Sequence, residues 1–90
     1  MSFMFEVYYK APINKNREKL ISREAMRFGG ELTFREEPGP RDDVRQSICL
    51  TYEFDNLAKA EEAAEALRIL GEHVEGPCDY GPRPPLENAK

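Results

Sequence analysis

The 90-residue sequence contains no tryptophan, one histidine and two cysteines, and no hydrophobic run in it is long enough to cross a membrane. Cys49 and Cys78 are too few and too far apart for a disulfide framework or a zinc site. Basic residues are also scarce: 13 lysines and arginines stand against 17 acidic residues, which gives a formal net charge of −4. Because an acidic chain repels phosphate groups, nucleic acid is not an expected partner. We predict no metal, no cofactor and no membrane contact.

The start of the sequence reaches an acidic residue at position 6 and lacks the basic region and the apolar stretch of a signal peptide. With so little cysteine, this predicts a cytoplasmic location. The chain is 40 % hydrophobic and includes five phenylalanines and four tyrosines, enough for one thin core. We therefore predict a single domain over residues 1–80 and a flexible, proline-rich tail over residues 81–90.

Four segments show the alternation of apolar and polar residues that is typical of strands with one buried face: residues 3–9, 31–35, 47–54 and 73–75. Gly76-Pro77 is expected to end the fourth strand and to confine it to a sheet edge. A polar, turn-rich loop is predicted over residues 36–45. The residues expected to face the core from the first three strands are Phe3, Phe5, Val7, Tyr9, Leu32, Phe34, Ile48, Leu50, Tyr52 and Phe54.

Two further segments predict amphipathic helices, because their apolar residues recur every three or four positions. The first is capped by Asn14 or Asn16 and runs to about Phe28, and the second is capped by Asp55 or Asn56 and ends at Gly71. The residues expected to face the core are Leu20, Ile21, Ala25 and Phe28 in the first helix and Leu57, Ala60, Ala63, Ala64, Leu67 and Leu70 in the second. Those expected to face solvent are Lys15, Lys19, Arg23 and Arg27, and Glu61, Glu62, Glu65 and Glu72.

The resulting order, β-α-β-β-α-β, predicts an α+β fold of the ferredoxin-like type. In that fold two helices cover one face of a four-stranded antiparallel sheet, and the other face is left open. We expect a binding surface on this open face, formed by Glu6, Tyr8, Lys10, Arg35, Cys49, Thr51 and Glu53. The RNA-recognition motif shares the topology, but it needs stacking aromatic residues on both central strands, and here only Tyr8 is available.

The predicted open face mixes apolar side chains with charges of both signs, which is not the clean polar pattern of a solvated sheet. We therefore expect it to be covered, either by a second copy of the chain across a two-fold axis or by another protein. In a homodimer, Glu6 and Glu53 of one copy would meet Lys10 and Arg35 of the other.

Other features allow two interpretations each. The basic stripe Lys15, Lys19, Arg23 and Arg27 is either a docking face for an acidic partner or a phosphate, or simply the solvated side of a helix. Glu24 is either an acid or base with a raised pKa or the partner of Arg27 in an ion pair. His73 is better explained as a surface residue than as a catalytic base, and the turn of residues 76–82 either displays Asp79 and Tyr80 or only terminates a strand.

The block from Tyr52 to Glu75, followed by Gly76-Pro-Cys-Asp-Tyr80, resembles the ferredoxin-like domain of the ribonuclease E inhibitor B family. Those are small, acidic bacterial proteins that act by binding a basic nuclease. This sequence contains no long acidic tract and no tryptophan, so it lacks two features associated with the family, and no residue roles are transferred. The resemblance implies a bacterial, non-enzymatic binding protein.

Taken together, the sequence predicts a non-catalytic protein-interaction or regulatory module that self-associates through the open sheet face, with no catalytic residues. The alternative is a small-ligand-binding protein or a small enzyme of the dimeric ferredoxin-like type. Its candidate residues are Glu6, Tyr8, Cys49, Glu53 and His73.

Overall fold

Residues 2–39 and 46–79 are described by the structure, a computed structural model. They form an antiparallel sheet with strand order β2-β3-β1-β4 and two helices. This confirms the predicted α+β fold of the ferredoxin-like type. The predicted tail, Tyr80 and most of the predicted loop lie outside the described residues. The elements are β1 Phe3–Lys10, α1 Lys15–Arg27, β2 Glu31–Glu36, β3 Ser47–Phe54, α2 Leu57–Ile69 and β4 His73–Asp79.

The core lies between the helices and the two central strands. β1 and β3 pair over eight consecutive positions, from Phe3 opposite Phe54 to Lys10 opposite Ser47. Alternate residues of both strands point toward the helices, and those of β3 are at most 2 % exposed. α2 meets this surface with alanines, which allow a close approach of helix and sheet. The buried helical residues are Ile21, Ala25, Ala60, Ala63, Ala64 and Leu67.

Both helices begin at an asparagine. The side chain of Asn14 accepts a hydrogen bond from the backbone N–H of Arg17 at 3.0 Å, and Asn56 does the same for Lys59 at 3.0 Å. Each helix is followed by a glycine with a positive φ, +92° at Gly29 and +95° at Gly71. Such a cap satisfies N–H and C=O groups that would otherwise have no partner. The predicted boundaries are therefore confirmed, with Asn14 and Asn56 as the caps.

The buried stripe of each helix is narrower than predicted. Leu20 is 55 % exposed, Leu57 is 41 % exposed and Leu70 is 62 % exposed, although all three were predicted to face the core. Leu57 is the first residue of its helix and Leu70 follows its last, so neither lies over the middle of the sheet. Glu72 was predicted to face away from the core, but its carboxylate is half-buried and binds Arg17.

A β-bulge in β2 reverses the faces expected for the second half of that strand. The register shifts between Leu32, which lies opposite Tyr52, and Phe34, which lies opposite Thr51. Thr33 is the extra residue, and one extra residue exchanges the two faces from that point on. Phe34, predicted to lie in the core, is therefore 57 % exposed on the open face.

β4 is longer than predicted and continues through Gly76-Pro77 to Asp79. It pairs only with β1, in the described part of the sheet, and its register shifts where it passes the segment from Met4 to Glu6. Gly76 has a φ of +107°, and a side chain there would approach backbone atoms of β1 at 3.0–3.2 Å. The prediction of an edge strand holds, but the glycine and proline form an irregularity within the strand and do not end it.

Neither described helix has the length and the apolar character needed to cross a bilayer.

Gly30 gives a test of how tightly the end of β3 is packed. Gly30 is buried, and a Cβ atom at this position would overlap the ring of Phe54. We expect Gly30→Ala to lower the free energy of unfolding by about 1–3 kcal/mol, because the core has no room for an added methyl group. Urea denaturation measures this loss.

The double variant Gly30→Ala/Phe54→Leu provides the control. Removing the ring frees the space that the new methyl group needs, so the loss should be smaller than the sum of the two single losses. Strictly additive losses would contradict the proposed overlap.

Candidate interaction surface on the open sheet face

The side of the sheet opposite the helices is set by the cross-strand pairs. Residues that lie opposite each other on neighbouring strands point to the same side, so the registers of the three strand pairs define the surface. We call this surface the open sheet face. From β2 to β4 its residues are Glu31, Phe34 and Glu36; Ser47, Cys49, Thr51 and Glu53; Met4, Glu6, Tyr8 and Lys10; and His73, Glu75 and Cys78.

The open sheet face is acidic, in contrast to the predicted mixture of charges. Within the part that the structure describes, five carboxylates are accompanied by Lys10 and His73 as the basic residues. Arg35, predicted to be on this face, points to the opposite side because of the bulge in β2. The five carboxylates are Glu6, Glu31, Glu36, Glu53 and Glu75.

The part of the open sheet face that β3 contributes is uncharged at its middle and largely buried. Cys49 is 8 % exposed and Thr51 is 7 % exposed, although no helix covers this side. In the cross-strand rows, Phe34 lies next to Thr51 on one side, and Tyr8 lies next to Cys49 on the other. Cys49 and Thr51 therefore form a shallow floor between the side chains of Phe34 and Tyr8, and carboxylates lie around this floor.

Hydrogen bonds hold two of the carboxylates in place. The hydroxyl of Tyr8 donates to Oε1 of Glu6 at 2.9 Å, and Nε2 of His73 lies 2.9 Å from Oε2 of Glu75. The rings of Tyr8 and His73 are 6.0 Å apart. The hydrogen bond to Glu6 and partial burial raise the pKa of Tyr8 well above its ordinary value, so its hydroxyl keeps its proton and acts as a donor.

The two carboxylates named for an enzyme do not lie directly opposite each other. Glu6 lies opposite Thr51 and Glu53 lies opposite Met4, so the two carboxylates are diagonal neighbours. The hydroxyl of Ser2 donates to Glu53. Burial raises the pKa of the Cys49 thiol, which reduces its thiolate fraction at neutral pH. No group of three potential metal ligands occurs among residues 2–39 and 46–79.

Arg35 connects β2 to α1 through an ion pair. Its guanidinium donates two hydrogen bonds to the carboxylate of Glu18, Nε to Oε1 at 2.8 Å and Nη2 to Oε2 at 2.9 Å. The same carboxylate accepts the hydroxyl of Tyr9. The hydrogen bonds from Arg35 hold the pKa of Glu18 below its ordinary value of 4.5. Arg35 is therefore a structural residue on the helix side of the sheet.

The predicted basic stripe is present as a second surface, separate from the open sheet face. All four of its cations are exposed on α1. Glu24 forms the predicted ion pair, with Oε2 2.8 Å from Nη2 of Arg27. We call this the basic helix surface; its residues are Lys15, Lys19, Arg23 and Arg27.

Sequence reasoning missed part of the open sheet face. It assigned no role there to Phe34 and Glu36, which the bulge turns outward, or to Glu75 and Cys78, whose places depend on the irregular pairing of β4. One feature of the sequence could have predicted an acidic edge of the sheet: the carboxylates near the bulge, Glu31, Glu36 and Glu37.

No protein-family model matches the chain, and no curated protein matches it. Its function therefore has to be inferred from the geometry.

The pair formed by Glu18 and Arg35 predicts a pH-dependent contribution to stability. A carboxylate with a lowered pKa stabilises the fold above its unfolded pKa, and this contribution is lost as the pH falls through the folded pKa. We expect Glu18→Gln to lower the free energy of unfolding by about 1–2 kcal/mol near pH 7. The difference from the wild type should shrink below about pH 4.

Urea denaturation of both proteins at several pH values measures this. A difference that stays constant between neutral and acidic pH would mean that ionised Glu18 contributes nothing.

Proposed function

We propose that this protein is a non-catalytic interaction module that binds a basic segment of another protein through its open sheet face. The observation that carries the proposal is the arrangement of five carboxylates around an uncharged, buried floor, with the exposed ring of Phe34 and the half-buried ring of Tyr8 beside it. Protein interfaces commonly have an apolar centre and a polar rim, and a rim of one charge selects partners of the opposite charge.

The chemistry of the face favours arginine in the partner. A guanidinium forms paired hydrogen bonds with carboxylates and also stacks on aromatic rings. Glu6 and Tyr8 offer both kinds of contact within one hydrogen-bonded pair, and the exposed ring of Phe34 lies on the far side of the floor. Neighbouring carboxylates also raise the local concentration of a cationic partner and speed its association.

Self-association through the same face is less favourable than the sequence suggested. The expected contact paired Glu6 and Glu53 with Lys10 and Arg35, but Arg35 binds Glu18 on the other side of the sheet. A symmetric dimer would therefore place two acidic faces against each other. Like charges in close apposition oppose association.

The alternative function, binding of a small molecule, is supported by a cleft at one end of the sheet. The cleft has a volume of about 380 Å³ and is lined by Tyr8, Tyr9, Lys10, Arg17, Ser47, Gly71 and His73. This volume is near the lower limit for ligand pockets. Arg17 is already held by Glu72, at 2.8 Å, so much of its charge is neutralised. The cleft is therefore a weaker candidate than the face.

The proposal predicts where an arginine-rich peptide binds. Titration of the labelled protein with such a peptide should shift the amide resonances of β1, β3 and β4 that lie on the open sheet face. The variant Glu6→Gln/Glu53→Gln/Glu75→Gln should bind about tenfold more weakly, since three favourable charge contacts are lost. Added salt should weaken the wild-type complex.

The matched control is Glu61→Gln/Glu62→Gln/Glu65→Gln, which removes the same number of carboxylates from α2. This control should bind like the wild type. An equal loss in the control would mean that net charge alone attracts the peptide, and no loss in the first variant would exclude the face.

Self-association through the face makes a separate prediction. Tyr8→Glu would add a charge at the centre of a symmetric contact and would convert dimers into monomers. Gel filtration with light scattering measures the mass; an unchanged mass excludes this contact.

A further inference from the structure

The outer side of α1 is exclusively cationic among its charged residues. Within this helix, which the structure describes in full, Lys15, Lys19, Arg23 and Arg27 are exposed, whereas both carboxylates are half-buried and engaged with arginines. Apolar side chains lie among these cations: Leu20 is 55 % exposed and Met26 is 64 % exposed. In a chain with a net charge of −4, this concentration of positive charge is suited to binding an acidic partner.

The outer side of α2 has the opposite charge. Glu61, Glu62 and Glu65 are exposed along this helix, and Ile69 is 76 % exposed. The two cations of α2 are occupied: Lys59 lies 3.9 Å from Glu62, and Arg68 donates to backbone carbonyls of β4. A shallow depression on this side is lined by Phe28, Ala58, Ala66 and Ile69 together with the three glutamates.

Exposed and half-buried apolar side chains lie within and between the two charged sides, and we call them the apolar strip. The helices lie side by side, joined where Arg17 binds Glu72 and where Phe28 of α1 contributes to the depression on α2. Leu20 follows Arg17 by three residues, so it lies about 60° around the helix from the residue that reaches toward α2. The strip consists of Leu20, Phe28, Ala66, Ile69 and Leu70.

We propose that the helix layer binds the helix layer of a second copy of this chain, with α1 of each copy against α2 of the other. A rotation of 180° about an axis along the apolar strip places the strip on itself and the cations of one copy on the carboxylates of the other. The surface is therefore self-complementary, as a closed two-fold dimer requires. The acidic partner expected for the basic stripe is then α2 of the second copy.

The size of the helix layer limits such a dimer to a small interface. Each helix has 13 residues, and two helices of this length form a face about 20 Å long and about 20 Å wide. Two such faces have a combined flat area of about 800 Å², at or below the small end of the range for specific interfaces, so we expect a weak dimer that forms at high concentration. Because exposed ion pairs contribute little free energy, the apolar strip supplies most of the affinity and the charges set the orientation.

This dimer does not depend on the proposed function, because the helices and the open sheet face are on opposite sides of the sheet. The dimer would leave both acidic faces exposed and directed away from each other. Failure of peptide binding and failure of dimerisation are therefore distinguishable results.

A charge exchange between the helices tests the proposal. We expect wild-type protein to sediment as a dimer at high concentration, and Lys19→Glu/Arg23→Glu and Glu61→Lys/Glu65→Lys each to dissociate about tenfold more readily. An equimolar mixture of the two variants should form a heterodimer, because each contact again joins opposite charges. A single chain carrying all four substitutions should regain the homodimer.

All four substituted residues are exposed, so an unchanged far-ultraviolet circular dichroism spectrum verifies that each variant is folded. A monomeric wild type overturns the proposal, as does a failure of the mixture to associate. If only the α1 variant dissociates, α1 contacts a surface other than α2 and the proposal is wrong. If Tyr8→Glu dissociates the dimer and the helix variants do not, the interface is the open sheet face.

Discussion

The pairing of β1 with β3 is the constraint on which the rest of the molecule depends. Eight consecutive residue pairs fix which side chains meet the helices and which remain on the other side. A slip of one residue would exchange the two sets, moving Tyr52 out of the core and Thr51 into it. The position of α1, the closeness of α2 and the composition of the open sheet face all follow from this register.

The sequence was sufficient for the parts of the fold that depend on regular alternation. The element order, the faces of β1 and β3 and the asparagine caps could be read from residue spacing because each reflects a local pattern. The number of helix residues that face the core was overestimated. Leu70, for example, has the spacing of a core residue, but it follows the last residue of α2 and is exposed. Residue spacing alone does not show which part of a helix is packed on the sheet.

The candidate site was predicted less well, and on the β2 side of the sheet the cause is one residue. Thr33 is an extra residue in the pairing of β2, but the sequence around it still alternates between apolar and polar residues. The local sequence therefore does not distinguish a bulged strand from a regular one. The preference for the bulged register is consistent with Arg35 binding Glu18, which lies 17 positions earlier in the sequence, in α1. Because Arg35 binds Glu18, its positive charge is not on the open sheet face. The expected binding partner of that face therefore changes from a second copy of the chain to a basic protein.

The bulges also affect how the sheet can grow. In the described part of the molecule, β2 and β4 are the outer strands, and each carries a register shift on the side of its central neighbour. Bulged outer strands twist away from the plane, and a proline or a row of charges there hinders the addition of another strand. Pro77 on one edge and Glu31 with Glu36 on the other therefore hinder the addition of further strands and ribbon-like aggregation.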